Sequence, residues 1–522
     1  MKKISLQTFL LAAIILFAVI GAFASVMTLM NHNENKYIAT SILVEQNKIP
    51  YKDFGFDETP YSPYLYGSLF KLLHIDSYYL MTGKIVSFLS LLIAATTLFY
   101  LTRRISSNTY SALMVTAIFL LNMNIVVPAG QVANYIIPLT LSFVSFYLFE
   151  ISFNRNETKP FGIAVAGLLL AIAVGIRLVY VTIIIPFIVV ILFYALMGRH
   201  SSTALKRNIK QALLPFTIGV LVGLLPMLFF LSDPQSFIFN NLTFHFVNGY
   251  WSQISGYSTI ISLMSKLTYA KNLFFQPSTL LLIMGILVAV GLSIRSFRIN
   301  RQTVEEIPEG AVLAFLLFVV AVPTALAATP SWPAYYAMPI SFLFLLLVYA
   351  CVSKSPDISM YLNRLLLILV LVSLGSSGAA FVKSIYSLRY RNNWEGLLVH
   401  DVSINIRNTL ANYGNKGNDK IATLSPEYVL DANLPIYLEL ADAPFTYRAG
   451  DLLTPEQRQQ FIVTSPKTIG NLLSKDPPAA IFVGFEGNLD QPFIQYAVSH
   501  NYRKVDGFFG GGEVYILESN KP

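Results

Sequence analysis

NHNENKYIATSILVEQNKIPYKDFGFDETPYSPYLYGSLFKLLHIDS, residues 31–77, follows directly on an apolar run that ends at Met30. The stretch is too long for a tight connector, and it gathers Glu34, Asp53, Asp57 and Glu58 between two hydrophobic segments. From Glu34 to Asn47, Tyr37, Ile38, Ile42, Leu43 and Val44 recur at near-helical spacing, and Tyr64 to Leu73 repeats the pattern with Leu65, Leu69 and Leu72. Between them Pro50, Gly55, Pro60 and Pro63 break the backbone. The pattern predicts two short helices lying on a membrane surface, joined by a structured turn that carries Asp53, Asp57 and Glu58.

Outward from this loop the chain reads as membrane. Of its 522 residues 55% are hydrophobic and 12% charged, and the mean hydropathy is +0.58; soluble proteins carry about 25% charge. Segments close to the roughly 20 apolar residues that cross a bilayer are 9–30, 79–101, 109–127, 131–151, 160–176, 178–197, 212–231, 276–295, 310–328, 334–352 and 361–381, which makes eleven. The first lacks a small-residue cleavage pattern and reads as a retained anchor. With Lys2 and Lys3 in the cytoplasm, the inside loops hold Arg103, Arg104, Arg155, Lys159, Arg199, Lys206, Arg207, Lys210, Arg295, Arg298, Arg301 and Lys354, as the positive-inside bias requires. The loop 31–77 then faces outward and is net acidic, and an odd span number puts the C-terminal segment on that same outer side. The net charge of +8 is explained by this asymmetry, so nucleic acid is not an expected partner. The single cysteine, Cys351, permits no internal disulfide.

The fold expected is an all-α polytopic membrane domain over 1–384, followed by an extracytoplasmic α/β or α+β domain over 385–522. Strand-like runs occur there at 421–424, 479–484 and 513–519, with a helix-like stretch at 455–462. No phosphate-binding glycine fingerprint or Walker motif occurs, which disfavours nucleotide-driven pumping. A second outer segment, 232–275, carries Asn240, Asn241, His245, Asn248, Tyr250 and Trp251, and SWPAYYAMP at 331–339 contains Tyr335 at an outer turn. Their aromatics suit either an interfacial belt or a substrate wall. Arg177 falls between two short apolar runs near the outer surface, where a guanidinium can snorkel to lipid phosphate or bind the phosphate of a ligand.

The first loop resembles that of the large integral-membrane glycosyltransferases that use polyprenyl-phosphate sugars, the GT-C group containing the protein O-mannosyltransferases and the lipid A aminoarabinose transferases. The matching elements are Asn33-Glu34 at the place of an acidic pair, Asn47 at a helix end, Pro50-Tyr51-Lys52-Asp53-Phe54, and Thr59-Pro60-Tyr61 running on to Tyr64. The chain departs from the family in having Asn33 where the first acid stands, and Gly130-Gln131-Val132-Ala133-Asn134 where a further acidic residue is usual.

The resemblance implies transfer of a monosaccharide from an undecaprenyl- or dolichyl-phosphate donor to a glycan, lipid or protein acceptor at the outer face of a cell membrane. Such chemistry needs a carboxylate to deprotonate the acceptor hydroxyl and cations for the leaving phosphate. Asp53 is the expected base, with Glu34 orienting it or, together with it, binding Mg²⁺ or Mn²⁺; Asp before Phe-Gly is also an ordinary turn residue. Arg177 and Lys84 are expected on phosphate, with Asp57, Glu58, His245 and Tyr335 completing the substrate site. Two other readings are a secondary transporter or flippase, which would place ionisable residues at bilayer depth, and a non-catalytic assembly protein.

Overall fold

In a computed structural model, the described residues are 6–29, 31, 33–153, 158–197, 209–299, 308–351, 356–414, 419–505, 508 and 511–517. Lys2, Lys3, Arg155, Arg199, Lys206, Arg207, Arg301 and Lys354, on which the expected orientation leans, lie outside them. The chain is an all-α bundle with a small mixed sheet near its C-terminus.

The bundle starts with α1 (Leu6–Thr28), followed by α2 (Glu34–Glu45), α3 (Tyr61–Leu73) and α4 (Tyr79–Ser106). Among the described residues six helices are long and apolar enough to cross a membrane, and eight segments qualify if two bent pairs each count once. The pairs are Thr109–Leu120 with Met123–Ala129, bent by 62°, and Leu263–Phe274 with Pro277–Leu292, bent by 79°. Three more of the expected spans, Ile136–Ser152, Pro160–Ile176 and Leu178–Tyr194, are shorter apolar helices. By length and composition the count is thus six to eight.

Glycines set the closest approaches. A Cβ on Gly219 would stand 1.9 Å from the carbonyl oxygen of Ala164, so the helices Pro160–Ile176 and Leu214–Leu224 touch backbone to backbone. Gly67 does the same for α2 and α3, since its Cβ would come within 2.6 Å of the Ser41 carbonyl oxygen.

The helix α2 departs from expectation. Every residue from Glu34 to Val44 is buried, so it is an interior rod wedged among α3, α4 and the tail helix Pro426–Asp431 rather than a helix lying on a surface. The tail covers the face that would otherwise meet water: Asn35 donates Nδ2–H to the Leu424 carbonyl at 2.9 Å and accepts from the Glu427 N–H at 3.0 Å. Tyr79 N–H likewise donates to Asp431 at 3.1 Å. Loop 31–77 and the tail therefore sit at one end of the bundle.

Among the described residues the sheet has four strands in the order β1-β2-β4-β3, with β1 (Ile421–Thr423) parallel to β2 (Ala480–Val483), and β4 (Glu513–Ile516) antiparallel to both β2 and β3 (Arg503–Lys504). β1 and β2 are buried along their whole length, which is why apolar residues stand at successive positions, Ile421-Ala422 and Ala480 to Val483, rather than at alternate ones. The helix-like stretch becomes Pro455–Gln460, started by a capping box in which Thr454 and Gln457 exchange hydrogen bonds.

Candidate functional site

Two polar centres flank the N-terminal turn of α2. In the first, Glu34 is buried and accepts from Lys84 Nζ at 3.0 and 3.2 Å and from the Val132 N–H at 2.6 Å. Lys84, fully buried, also meets the carbonyls of Leu29 at 2.8 Å and Gly130 at 3.2 Å, and Glu395 of the tail at 2.7 Å. An ammonium has three N–H donors, so Lys84 is fully engaged. Breaking one partner of such a buried pair costs about 3–5 kcal/mol. Glu395 and Glu427 add carboxyls to this centre: burial, then the charge of Glu34, pushes Glu395 up to about 9 and Glu427 up to about 8.

The second centre is built on Lys36, two residues further along the same first turn. Lys36 forms a buried ion pair with Asp57 and sits 4.5 Å from the Phe445 ring centroid. The Asp57 N–H donates to Asp442 Oδ2 at 3.1 Å. Burial first, and then the charge of Asp57, holds the Asp442 carboxyl well above the usual carboxylate range. Beside them Glu58 is half-buried, accepts from Tyr37 Oη–H at 3.4 Å, and its carbonyl takes the Tyr51 hydroxyl. Tyr51 is fixed in turn by Asn241 at 3.1 Å, and the Phe56 N–H by Asn240 Oδ1 at 3.3 Å.

Arg177 closes this centre. It is the extended residue (φ −151°) at which the helix Pro160–Ile176 stops before a 3₁₀ turn, and its guanidinium lies 4.6 Å from the Tyr135 ring centroid and 5.0 Å from that of Tyr335. Stacked cations of this kind are stabilised by roughly 0.5–2 kcal/mol per ring. Glu58 is near enough to act on Arg177 electrostatically. An apolar cavity of about 580 Å³ begins next door, walled by Ile176, Ile172, Tyr61, Tyr64, Phe229 and Phe230.

Of the residues singled out in the sequence, the fold brings together Asp57, Glu58, Arg177 and Tyr335 in one centre, and Glu34 with Lys84 in the other. Asp53 stands apart: its Oδ2 accepts the Ile49 N–H at 2.7 Å inside the turn after α2. Glu34 opens α2 and Asp53 lies past its end, separated by a rod of 12 residues, roughly 18 Å at 1.5 Å per residue. The two carboxylates therefore share no ion. Glu34 is also spent on Lys84 and Val132, and no group of three or more metal-ligating side chains occurs among the described residues. The donor set does not fit a divalent cation held by Glu34 and Asp53. His245 is exposed on the helix Phe244–Ile254, its ring against the neighbouring Phe244.

Residues the sequence did not flag are Lys36, Glu395, Glu427, Asp442 and Arg448. Arg448 binds Asn248 Oδ1 at 3.0 and 3.1 Å and lies 4.8 Å from the ring centroids of Trp251, Tyr257 and Phe445, tying the tail to segment 232–275. Lys36 carried a readable signal, a cation two residues from Glu34 in the first turn of a helix. The tail residues carried none, because their partners lie hundreds of positions away.

No sequence-family profile matches this chain, and neither does any curated protein. Two solved structures are similar over almost the whole length. One is the crystal structure of ArnT from Cupriavidus metallidurans bound to undecaprenyl phosphate, with a TM-score of 0.61, 13% identity and 97% of each chain covered. The other is the same protein in the apo state, with a TM-score of 0.64, 12% identity and 98% of each chain covered. At such identity the likeness is one of fold: from its first span to its terminal sheet the chain shares the architecture of ArnT.

Proposed function

We propose that the protein transfers a monosaccharide from a polyprenyl-phosphate donor to a hydroxyl of an acceptor at the outer membrane face. One observation carries this reading: an apolar cavity walled by Tyr61, Tyr64 and Phe230 reaches Ile176, the residue before Arg177, whose guanidinium lies over Tyr135 and Tyr335 and feels the charge of Glu58. That order, apolar then cationic then acidic, matches a prenyl chain, its phosphate and the sugar beyond. The shared fold with ArnT, crystallised with undecaprenyl phosphate, supports the same donor chemistry.

In this mechanism the prenyl tail lies in the groove and the phosphate meets Arg177, whose planar fork suits two phosphate oxygens. Glu58 removes the acceptor hydroxyl proton. The acceptor oxygen bonds to the anomeric carbon as the bond from that carbon to the phosphate oxygen breaks, and polyprenyl phosphate leaves with its electron pair. Arg177 balances the charge that builds on the leaving oxygen, and Tyr335 keeps the guanidinium in plane. The reaction uses the energy of the phosphodiester and needs no nucleotide. Glu58 is preferred as base to Asp53, because the Asp53 carboxylate already caps its own turn. Lys84 holds the floor of the site through Glu34.

Purified protein in nanodiscs, given radiolabelled polyprenyl-phosphate sugars beside the matching nucleotide sugars, tests the donor class. Turnover of the lipid-linked forms alone is expected. Turnover of only the nucleotide forms would refute it.

A further inference from the structure

The tail enters the proposed catalytic centre through Asp442, beside the Phe445 ring that lies over Lys36. Asp442 is 1% exposed, belongs to a tail turn, and reaches across 385 positions of sequence to accept the Asp57 N–H with Oδ2 at 3.1 Å. Its other oxygen, Oδ1, is buried and has no hydrogen-bond partner. The turn that bears it is stiff: the Asp442 carbonyl accepts the Phe445 N–H at 3.1 Å and the Thr446 N–H at 3.4 Å, and its neighbours Ala441 and Ala443 are wholly buried.

The segment 56–58 would otherwise be an irregular strip with nothing regular to pair with. Its backbone is held from three directions: Phe56 N–H by Asn240, Asp57 N–H by Asp442, and the Glu58 carbonyl by Tyr51. Only the middle anchor comes from the tail, and it acts on the residue immediately before Glu58. The Asp57 side chain is not available to replace it, since it is paired with Lys36.

We infer that Asp442 is a positioning residue, which fixes the Asp57-Glu58 backbone so that the Glu58 carboxylate stands at the reacting hydroxyl. The tail is thereby a working part of the site, beyond being a cover for it. The inference rests on the assignment of Glu58 as base made above, and its test has an arm that needs no turnover.

The full-length protein in nanodiscs is compared with Asp442→Ala and Asp442→Asn by hydrogen–deuterium exchange at the Asp57 amide and by steady-state transfer. Asp442→Ala is expected to speed exchange at that amide and to lower kcat roughly tenfold or more, the scale of one lost buried hydrogen bond, with the donor KM within about threefold. Asn keeps a carbonyl oxygen in the place of Oδ2, so Asp442→Asn is expected to restore amide protection and most of kcat. It also serves as the folded control should the alanine variant not assemble. In Asp442→Ala/Glu58→Gln the rate is expected to equal that of Glu58→Gln alone, because a residue acting through another adds nothing once that other is gone. Multiplying losses, or unchanged amide exchange in Asp442→Ala, would overturn the inference. Absence of turnover in the wild type with every lipid-linked donor would instead refute the donor reading, leaving the exchange arm to be read by itself.

Discussion

Replacing Arg177 with alanine removes the cation that follows Ile176 of the apolar groove and lies over Tyr135 and Tyr335. A hydrogen bond to a charged group contributes about 1.5–3 kcal/mol, and the bond to a phosphate oxygen strengthens as the leaving group gains charge. Taking about 2 kcal/mol for a half-buried guanidinium, kcat/KM falls roughly 30-fold. Arg177→Lys keeps the charge and loses the stacking against Tyr135 and Tyr335, at about 0.5–2 kcal/mol per ring, so it recovers the rate only in part. The assay is transfer from a radiolabelled polyprenyl-phosphate sugar in nanodiscs, with binding of the unglycosylated polyprenyl phosphate measured in parallel. With Arg177 on the phosphate itself, both binding and rate must suffer. Unchanged affinity and rate in Arg177→Ala would refute it and leave the arginine as a lipid-facing anchor.

Three further outcomes follow from the same geometry. Glu58→Gln should lower kcat by about 10²–10⁴-fold, the range of a lost general base, whereas Asp53→Asn, which keeps an acceptor for the Ile49 N–H, should stay near wild type; the reverse order would return the base to Asp53. Glu427 keeps its proton up to about pH 8 in the folded state but only to about 4.5 when unfolded, so across that window the unfolded chain sheds a proton the native state retains and stability falls as pH rises. Tm measured from pH 5 to 8.5 should therefore slope downward, and less steeply in Glu427→Gln; identical slopes would exclude the assignment. Cysteines placed at the exposed positions His74 and Ser499 should both label from outside sealed cells, Cys351 being buried, and labelling of one alone would break the topology.

Sequence reading went furthest where a single segment sets its own environment. The apolar runs became helices because a bilayer-length hydrophobic stretch has few alternatives, and Arg177 stood out because a helix of apolar residues stops at it. It failed where the environment comes from elsewhere. The pattern of α2 suggests a surface helix, yet the helix is buried on all sides because the tail helix Pro426–Asp431 lies over it. Asp53 and Glu58 look equivalent as exposed acids on one loop. They differ only because the Asp53 carboxylate folds back on Ile49 while Glu58 is carried toward Arg177. Glu395 and Asp442 were invisible for the same reason, since a lone acid in a polar tail announces nothing about a lysine or an amide in the first loop.

The bonds from Asn31, Asn35 and Asp57 to the tail span 364 to 392 positions. A ribosome delivers the first loop to the membrane long before it delivers their partners. Until the last segment has been made, Lys84 lacks one of its two carboxylates, and α2 lies uncovered with its apolar side chains open to neighbours. Contacts so distant in sequence form late. The nascent chain is therefore most exposed to misassembly and proteolysis in its earliest-made part, and a premature stop in the final quarter of the message would harm the beginning of the protein as much as its end.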